Sequence, residues 1–226
     1  MVRLVAIKKR KCNIGLDIST TCLGICVVAE DTNEIVYKKA LNLAKYEHRD
    51  KKKPVDEEFR EISRQFDVQK VCIEAPLFMR GKTSADTITK LFFFNGWVSC
   101  FAYQNFKTYP RYVDLNKARR KHGLRVPSKE VTKENSSKKK VFDFLIGLGY
   151  NLDEERTRSG NVRAGSYDIS DAAFALFIGS SEDDQDCWSI SEFVNKHYMT
   201  ILVIGLFLSL FLVKCDGSVD INIGGL

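Results

Sequence analysis

"CNIGLDISTTCLGICVVAE" (Cys12 to Glu30) reads as two short apolar β-type runs joined by the polar turn Ser19-Thr20-Thr21. The first run carries an aspartate, Asp17, close to its end. Acids are seldom buried in such a run without a partner, so Asp17 needs one. "EIVYKKALNL" (Glu34 to Leu43) continues as a third strand, which makes the opening an antiparallel meander.

Further along, "PVDEEFREISRQF" places Phe59, Ile62 and Phe66 at helical spacing. "KVCIEAP" is a buried strand that stops at Glu74, ahead of Pro76. Residues 84–106 form a strongly apolar helix with Ile88, Leu91, Phe94, Trp97 and Val98. "YPRYVDL" is another strand, "SKKKVFDFLIGLG" an amphipathic helix, and residues 151–165 a polar loop before the helix of "YDISDAAFAL" (Tyr167 to Leu176). Strands first, then strand and helix in alternation, predict an α/β fold: a mixed sheet, antiparallel then parallel, flanked by helices.

The 226 residues are enough to bury a real core. The net charge of +6 is unevenly placed: from Lys107 to Lys140, twelve Lys and Arg stand against three acids. Such a segment suits a polyanionic partner, or else a solvated face. Seven cysteines without zinc-ligand spacing read as free thiols of a reducing compartment, and three scattered histidines suggest no metal cage. The stretch "MVRLVAIKKRKC" has a basic cluster and no apolar core of a secretory signal, so it is not expected to act as one. The expected organisation is an α/β domain over 12–180, an acidic linker over 181–198 and an apolar tail over 199–226. The uncharged run 199–213 spans only about 22 Å as a helix, short of the roughly 30 Å of a bilayer core. A membrane contact through 199–213, a docked apolar helix and a non-native terminus all remain open.

Four acids stand out by position. Asp17 and Glu74 end strands, and Asp168 and Asp171, three residues apart, project from one helical face. If the strands of Asp17 and Glu74 are neighbours, the helix can lay its aspartates over them. Clustered carboxylates repel unless a cation neutralises them, and hard oxygen donors suit Mg²⁺ or Mn²⁺. Two such ions can activate water and stabilise the leaving oxygen of a phosphodiester. For Asp168 and Asp171 alone, helix capping and dipole contacts are an equally good account.

With these residues in view, the chain resembles the RuvC-type Holliday junction resolvases of the RNase H-like superfamily. "NIGLDISTTCLGICVV" is similar to their first motif, "VCIEAPLFMRGKTSADTITKLFFFNG" to the second and "YDISDAAFAL" to the closing one. The resemblance covers residues 13–179, and the acidic linker and apolar tail depart from the usual bacterial members, as a viral or organellar relative would. It implies an RNase H-like fold and a homodimer, for which the apolar helix 84–106 is the candidate interface. It implies paired symmetric nicks in four-way DNA junctions, in recombination, repair or genome processing. Asp17, Glu74, Asp168 and Asp171 would be the catalytic metal ligands for two Mg²⁺ ions. Phe78 and Met79 would meet junction bases, Phe78 as a wedge, beside Arg80 and Lys82. Lys117, Arg119, Arg120, Lys121, Lys139 and Lys140 would contact DNA phosphates. The implied location is intracellular: cytoplasm, nucleoid or a viral replication compartment. Two other readings stand beside it. "LDISTT" is similar to the first phosphate loop of the actin and sugar-kinase fold, which implies ATP handling, and an inactive junction-binding scaffold would keep the fold without the chemistry.

Overall fold

The computed structural model describes residues 8–76, 84–132, 135–159, 162–180 and 187–188. Its first three strands are the expected meander: β1 (Arg10–Ile18), β2 (Cys22–Ala29) and β3 (Ile35–Asn42), each antiparallel to the next. Helix α1 (Lys52–Gln65) leads directly into β4 (Phe66–Glu74), which lies parallel to β1. Helix α2 (Ala85–Phe106) and β5 (Arg111–Val113) follow, and β5 is parallel to β4. The short α3 (Leu115–Lys121), α4 (Ser137–Gly147) and α5 (Ala164–Ser180) complete the helices, and β6 (Cys187–Trp188) pairs antiparallel with β5. The sheet order is β3-β2-β1-β4-β5-β6. It is a mixed α/β sheet with helices packed on it, and among the described residues there is no second lobe of the kind an ATP-handling relative of actin needs.

Strand alternation decides which side chains meet α5. Gly15 on β1 and Gly24 on β2 face that helix. A Cβ at Gly15 would be driven into the Ala172 carbonyl oxygen, and one at Gly24 into the Asp168 carbonyl oxygen. Glycine at these two positions lets α5 lie directly on the sheet backbone. Asp17, two residues beyond Gly15, therefore points to the α5 side. Cys72 packs in the core cluster with Ala172 and Ala173 of α5, so Glu74, two residues on, points the same way. The intervening Ile14, Leu16, Val71 and Ile73 are fully buried. They lie on the opposite face, where α1 and α2 pack with Val55, Phe59, Phe94 and Val98.

Two local expectations change. Helix α5 begins at Ala164, about one turn before Tyr167, so Asp168 is an interior helical residue and not an N-cap. Within the basic stretch, Asp114 accepts from the Lys117 N–H and caps α3, whose Leu115 and Ala118 are core residues. Cys12, Cys26 and Cys72 are buried, as the apolar runs predict. Of the expected linker, Cys187–Trp188 is strand. The rest of it, and the run 199–213, lie outside the described residues. The chain divides into compact units Met1–Ile190 and Ser191–Leu226, and the second is wholly outside them. No helix of the described residues is long and apolar enough to cross a membrane.

Candidate active site

Leu16 of β1 stands opposite Ile73 of β4 in the parallel register, so the next residues, Asp17 and Glu74, emerge side by side at the strand ends. Helix α5 crosses this edge and brings Asp171 to them. One carboxylate oxygen from each of Asp17, Glu74 and Asp171 lies within 4.8 Å of the others. Asp17 and Asp171 are buried, Asp171 to 1% exposure. Asp168, one turn earlier on α5, stands at the rim.

Two cations enter this pocket and differ in freedom. Arg119 of α3 donates from Nη2 to Asp171 Oδ1 at 2.6 Å, and its Nη1 is 4.0 Å from Glu74 Oε1. Its side chain is only 10% exposed. Lys138, in the first turn of α4, sits at the mouth with its side chain 46% exposed, 3.1 Å from Asp168 Oδ1 and 3.3 Å from Asp171 Oδ2. Asp171 is thus held on one oxygen by a buried guanidinium and on the other by a half-exposed ammonium.

Burial raises Asp17 well above the usual carboxylate range, and the nearby Glu74 and Asp171 charges add to it against the opposing Lys138. Burial also raises Glu74, with Asp171 adding and with Arg119 and Lys138 opposing. The neighbouring Cys22 thiol is pushed up to about 12 by burial and by Asp168, so it stays neutral beside the acids.

The donor set fits a hard divalent cation: carboxylate oxygens alone, converging from three elements, with no sulfur or imidazole in the group. The raised values set a pH dependence. Between the ordinary carboxylate range and the raised one, the folded protein binds more protons than the unfolded chain, so its stability falls as pH climbs through that window. A cation on the three carboxylates offsets that loss. The metal-free protein is expected to melt at progressively lower temperature as pH rises above the ordinary carboxylate range, and saturating Mg²⁺ to flatten the slope. Melting curves with and without Mg²⁺ check this; a slope that Mg²⁺ leaves untouched would contradict it.

No family model matches the chain, and no curated protein matches it in sequence. Solved structures do. RuvC of T. thermophilus in complex with a Holliday junction substrate matches with a TM-score of 0.54 at 15% identity, over 80% of this chain and 99% of that one. A second Thermus thermophilus RuvC structure matches with a TM-score of 0.52 at 16% identity, over 79% and 99%.

The chain has the RuvC fold. In it, the three-carboxylate pocket occupies the edge of the sheet where β1 and β4 end, and α5 closes it from one face.

The remaining expected residues fall into three groups. Lys117, Arg120 and Lys121 are exposed on α3, whereas Arg119, expected to face DNA, is turned inward to the acids because its neighbour Ala118 packs in the core. Lys139 and Lys140 are half-buried, and Lys139 pairs with Asp143 at 2.6 Å and Glu154 at 3.6 Å. Phe78, Met79, Arg80 and Lys82 lie outside the described residues. Sequence reading missed Lys138, the first lysine of "KKK". The cap one residue group earlier was the available signal: Ser136 accepts from the Lys139 N–H, which starts α4 and aims Lys138 at the pocket. Beside Asp168 an open cleft of about 670 Å³ runs between β3 and α5, lined by Thr21, Lys38, Asn42, Arg163 and Ser166 among others.

Proposed function

We propose that this chain is a divalent-metal-dependent endonuclease of branched DNA, with the four-way junction as its principal substrate. The observation that carries the reading is the convergence of Asp17, Glu74 and Asp171 within 4.8 Å at the strand ends of a RuvC fold. The similar T. thermophilus protein, whose own complex holds a Holliday junction, supports the choice of substrate.

Asp17, Glu74 and Asp171 would hold Mg²⁺, or Mn²⁺ in its place, with Asp168 as the further donor for a second ion. Bound there, such ions supply an activated water and charge stabilisation at the departing 3′ oxygen. The chain's own groups arrange the rest. Arg119 fixes the Asp171 carboxylate by one oxygen and leaves Oδ2 turned toward the mouth. Lys138 reaches that mouth with its side chain about half exposed and can pair with the phosphate of an incoming strand. Water adds to phosphorus and the 3′ oxygen leaves, which yields 5′ phosphate and 3′ hydroxyl ends.

Paired nicking calls for two sites. On α2, Phe93 and Tyr103 are exposed at 47% and 39%, and Gly96 and Cys100 lie between them on the same stripe. This stripe is the proposed homodimer contact, because large apolar groups in line on one helix face favour a partner. Phe93→Asp combined with Tyr103→Asp should convert a dimer into a monomer in sedimentation, and junction cutting should change from paired to single nicks. A double variant that stays dimeric would place the interface elsewhere.

The direct test is a labelled four-way junction with Mg²⁺, beside a linear duplex of matching sequence. Selective cutting of the junction supports the reading. Equal cutting of both overturns the junction preference, and tight junction binding without cutting in either Mg²⁺ or Mn²⁺ would make the protein a binding scaffold.

A further inference from the structure

The catalytic edge carries a second chemical feature that hydrolysis does not use. Helix α1 ends where β4 begins, so the start of α1 and the β1–β2 turn share the edge where Asp17 and Glu74 emerge, and the start of α1 lies beside the C-terminal half of α2, with Asn105 donating to Asp56. Lys51 donates from Nζ to the Thr20 carbonyl, and the Leu43 N–H to the Thr21 carbonyl at 2.8 Å, which ties the segment 43–53 to that turn.

On this segment aromatic rings and cations alternate. The His48 ring centroid lies 5.1 Å from that of Trp97 and 6.4 Å from that of Phe94. Lys52 Nζ stands 4.7 Å from the Trp97 ring centroid, and Lys45 Nζ 5.1 Å from that of Tyr46. Lys45, Arg49, Lys52 and Lys53 are exposed, and from Lys45 to Lys53 five Lys and Arg face only Glu47 and Asp50.

We propose that this patch binds an unstacked, single-stranded segment of the branched substrate close to the cut site. The proposal rests on the branched-DNA reading above and names a contact that reading lacks. An ammonium over an indole marks an electron-rich face reachable from solvent. An exposed cation–π contact is weaker than base stacking on an aromatic ring, so an incoming base can take the Trp97 face while Lys52 moves to the adjoining phosphate. A continuous duplex offers no free base face, whereas a branch point does. Trp97 lies beside the Phe93–Gly96–Cys100–Tyr103 stripe, against His48 and with Lys52 over its ring.

The chain holds two tryptophans, so in a Trp188→Phe protein the emission reports Trp97 alone. With Asp17→Asn added to keep the DNA whole, a four-way junction and an oligothymidylate should both quench that emission, and a blunt duplex should not. Lys52→Glu and Trp97→Ala should each weaken junction binding roughly tenfold by anisotropy, with Trp97→Phe close to wild type. If Trp97→Ala fails to fold, Lys52→Glu and Trp97→Phe still decide the matter. Unchanged emission at saturating junction, or full affinity in Lys52→Glu, would overturn the patch. Equal quenching by blunt duplex would overturn its preference for unstacked strands. Junction cleavage by the wild-type chain, assayed in parallel, separates the two readings: no cutting fails the nuclease, while cutting with a silent Trp97 fails only the patch.

Discussion

Asp17→Asn is expected to abolish junction cleavage while junction binding stays close to wild type. The substitution keeps the shape of the side chain and removes one negative charge from the pocket. Asp17 shares it with Glu74 on the adjoining strand and Asp171 on α5. Loss of its charge weakens every cation that shares the pocket, so the effect falls on the chemical step. A fall of at least about a thousandfold, or about 4 kcal/mol of transition-state stabilisation, is the expected size. Under the proposed function, binding would rest on the exposed lysines and arginines of α3 and the 43–53 segment, which the substitution leaves in place. Cleavage measured at saturating junction, with affinity read by anisotropy, checks both halves. An Asn variant that cuts at the wild-type rate would remove Asp17 from the catalytic set.

Arg119→Leu should be nearly as severe, but through stability. The guanidinium is buried against Asp171, itself almost fully buried, and near Glu74. Leucine leaves those carboxylates without their fixed counter-charge, and breaking one side of such a buried pair costs about 3–5 kcal/mol. Against the roughly 5–15 kcal/mol that holds a typical domain together, this brings the metal-free chain close to unfolding at neutral pH. Two partial rescues identify the cause. Saturating Mg²⁺ replaces the lost positive charge, and Asp171→Asn in the same chain removes the orphaned negative one. Urea unfolding of the single and double variants gives the comparison. A single variant as stable as wild type, or a double variant less stable than the single, would show that Arg119 does not act as the pocket's counter-ion.

Much of the fold was legible because burial writes a period into the chain. The apolar runs around Asp17 and Glu74 and the spacing of Phe59 and Ile62 led to the strands and helix that the structure contains, whereas Phe66, expected on that helix, opens β4 in extended backbone. Less legible was α3: seven residues, three of them basic at its end, carry too little periodicity to be separated from a solvated loop. Arg119 shows the consequence. Its neighbours Lys117, Arg120 and Lys121 face solvent, and nothing in "NKARRK" marks the one cation that turns inward. That choice comes from the helical rotation that buries Leu115 and Ala118.

The amino-acid sequence by itself determined the apolar strand runs and the presence of acids at two strand ends and on one apolar helix, since all are consequences of local spacing and side-chain size. Only the tertiary structure decided that Asp17, Glu74 and Asp171 share one pocket, that Asp168 stands at its rim, and that Arg119 and Lys138 are the cations within it. Distances between groups remote along the chain are set by strand register and helix packing, and no local pattern encodes them.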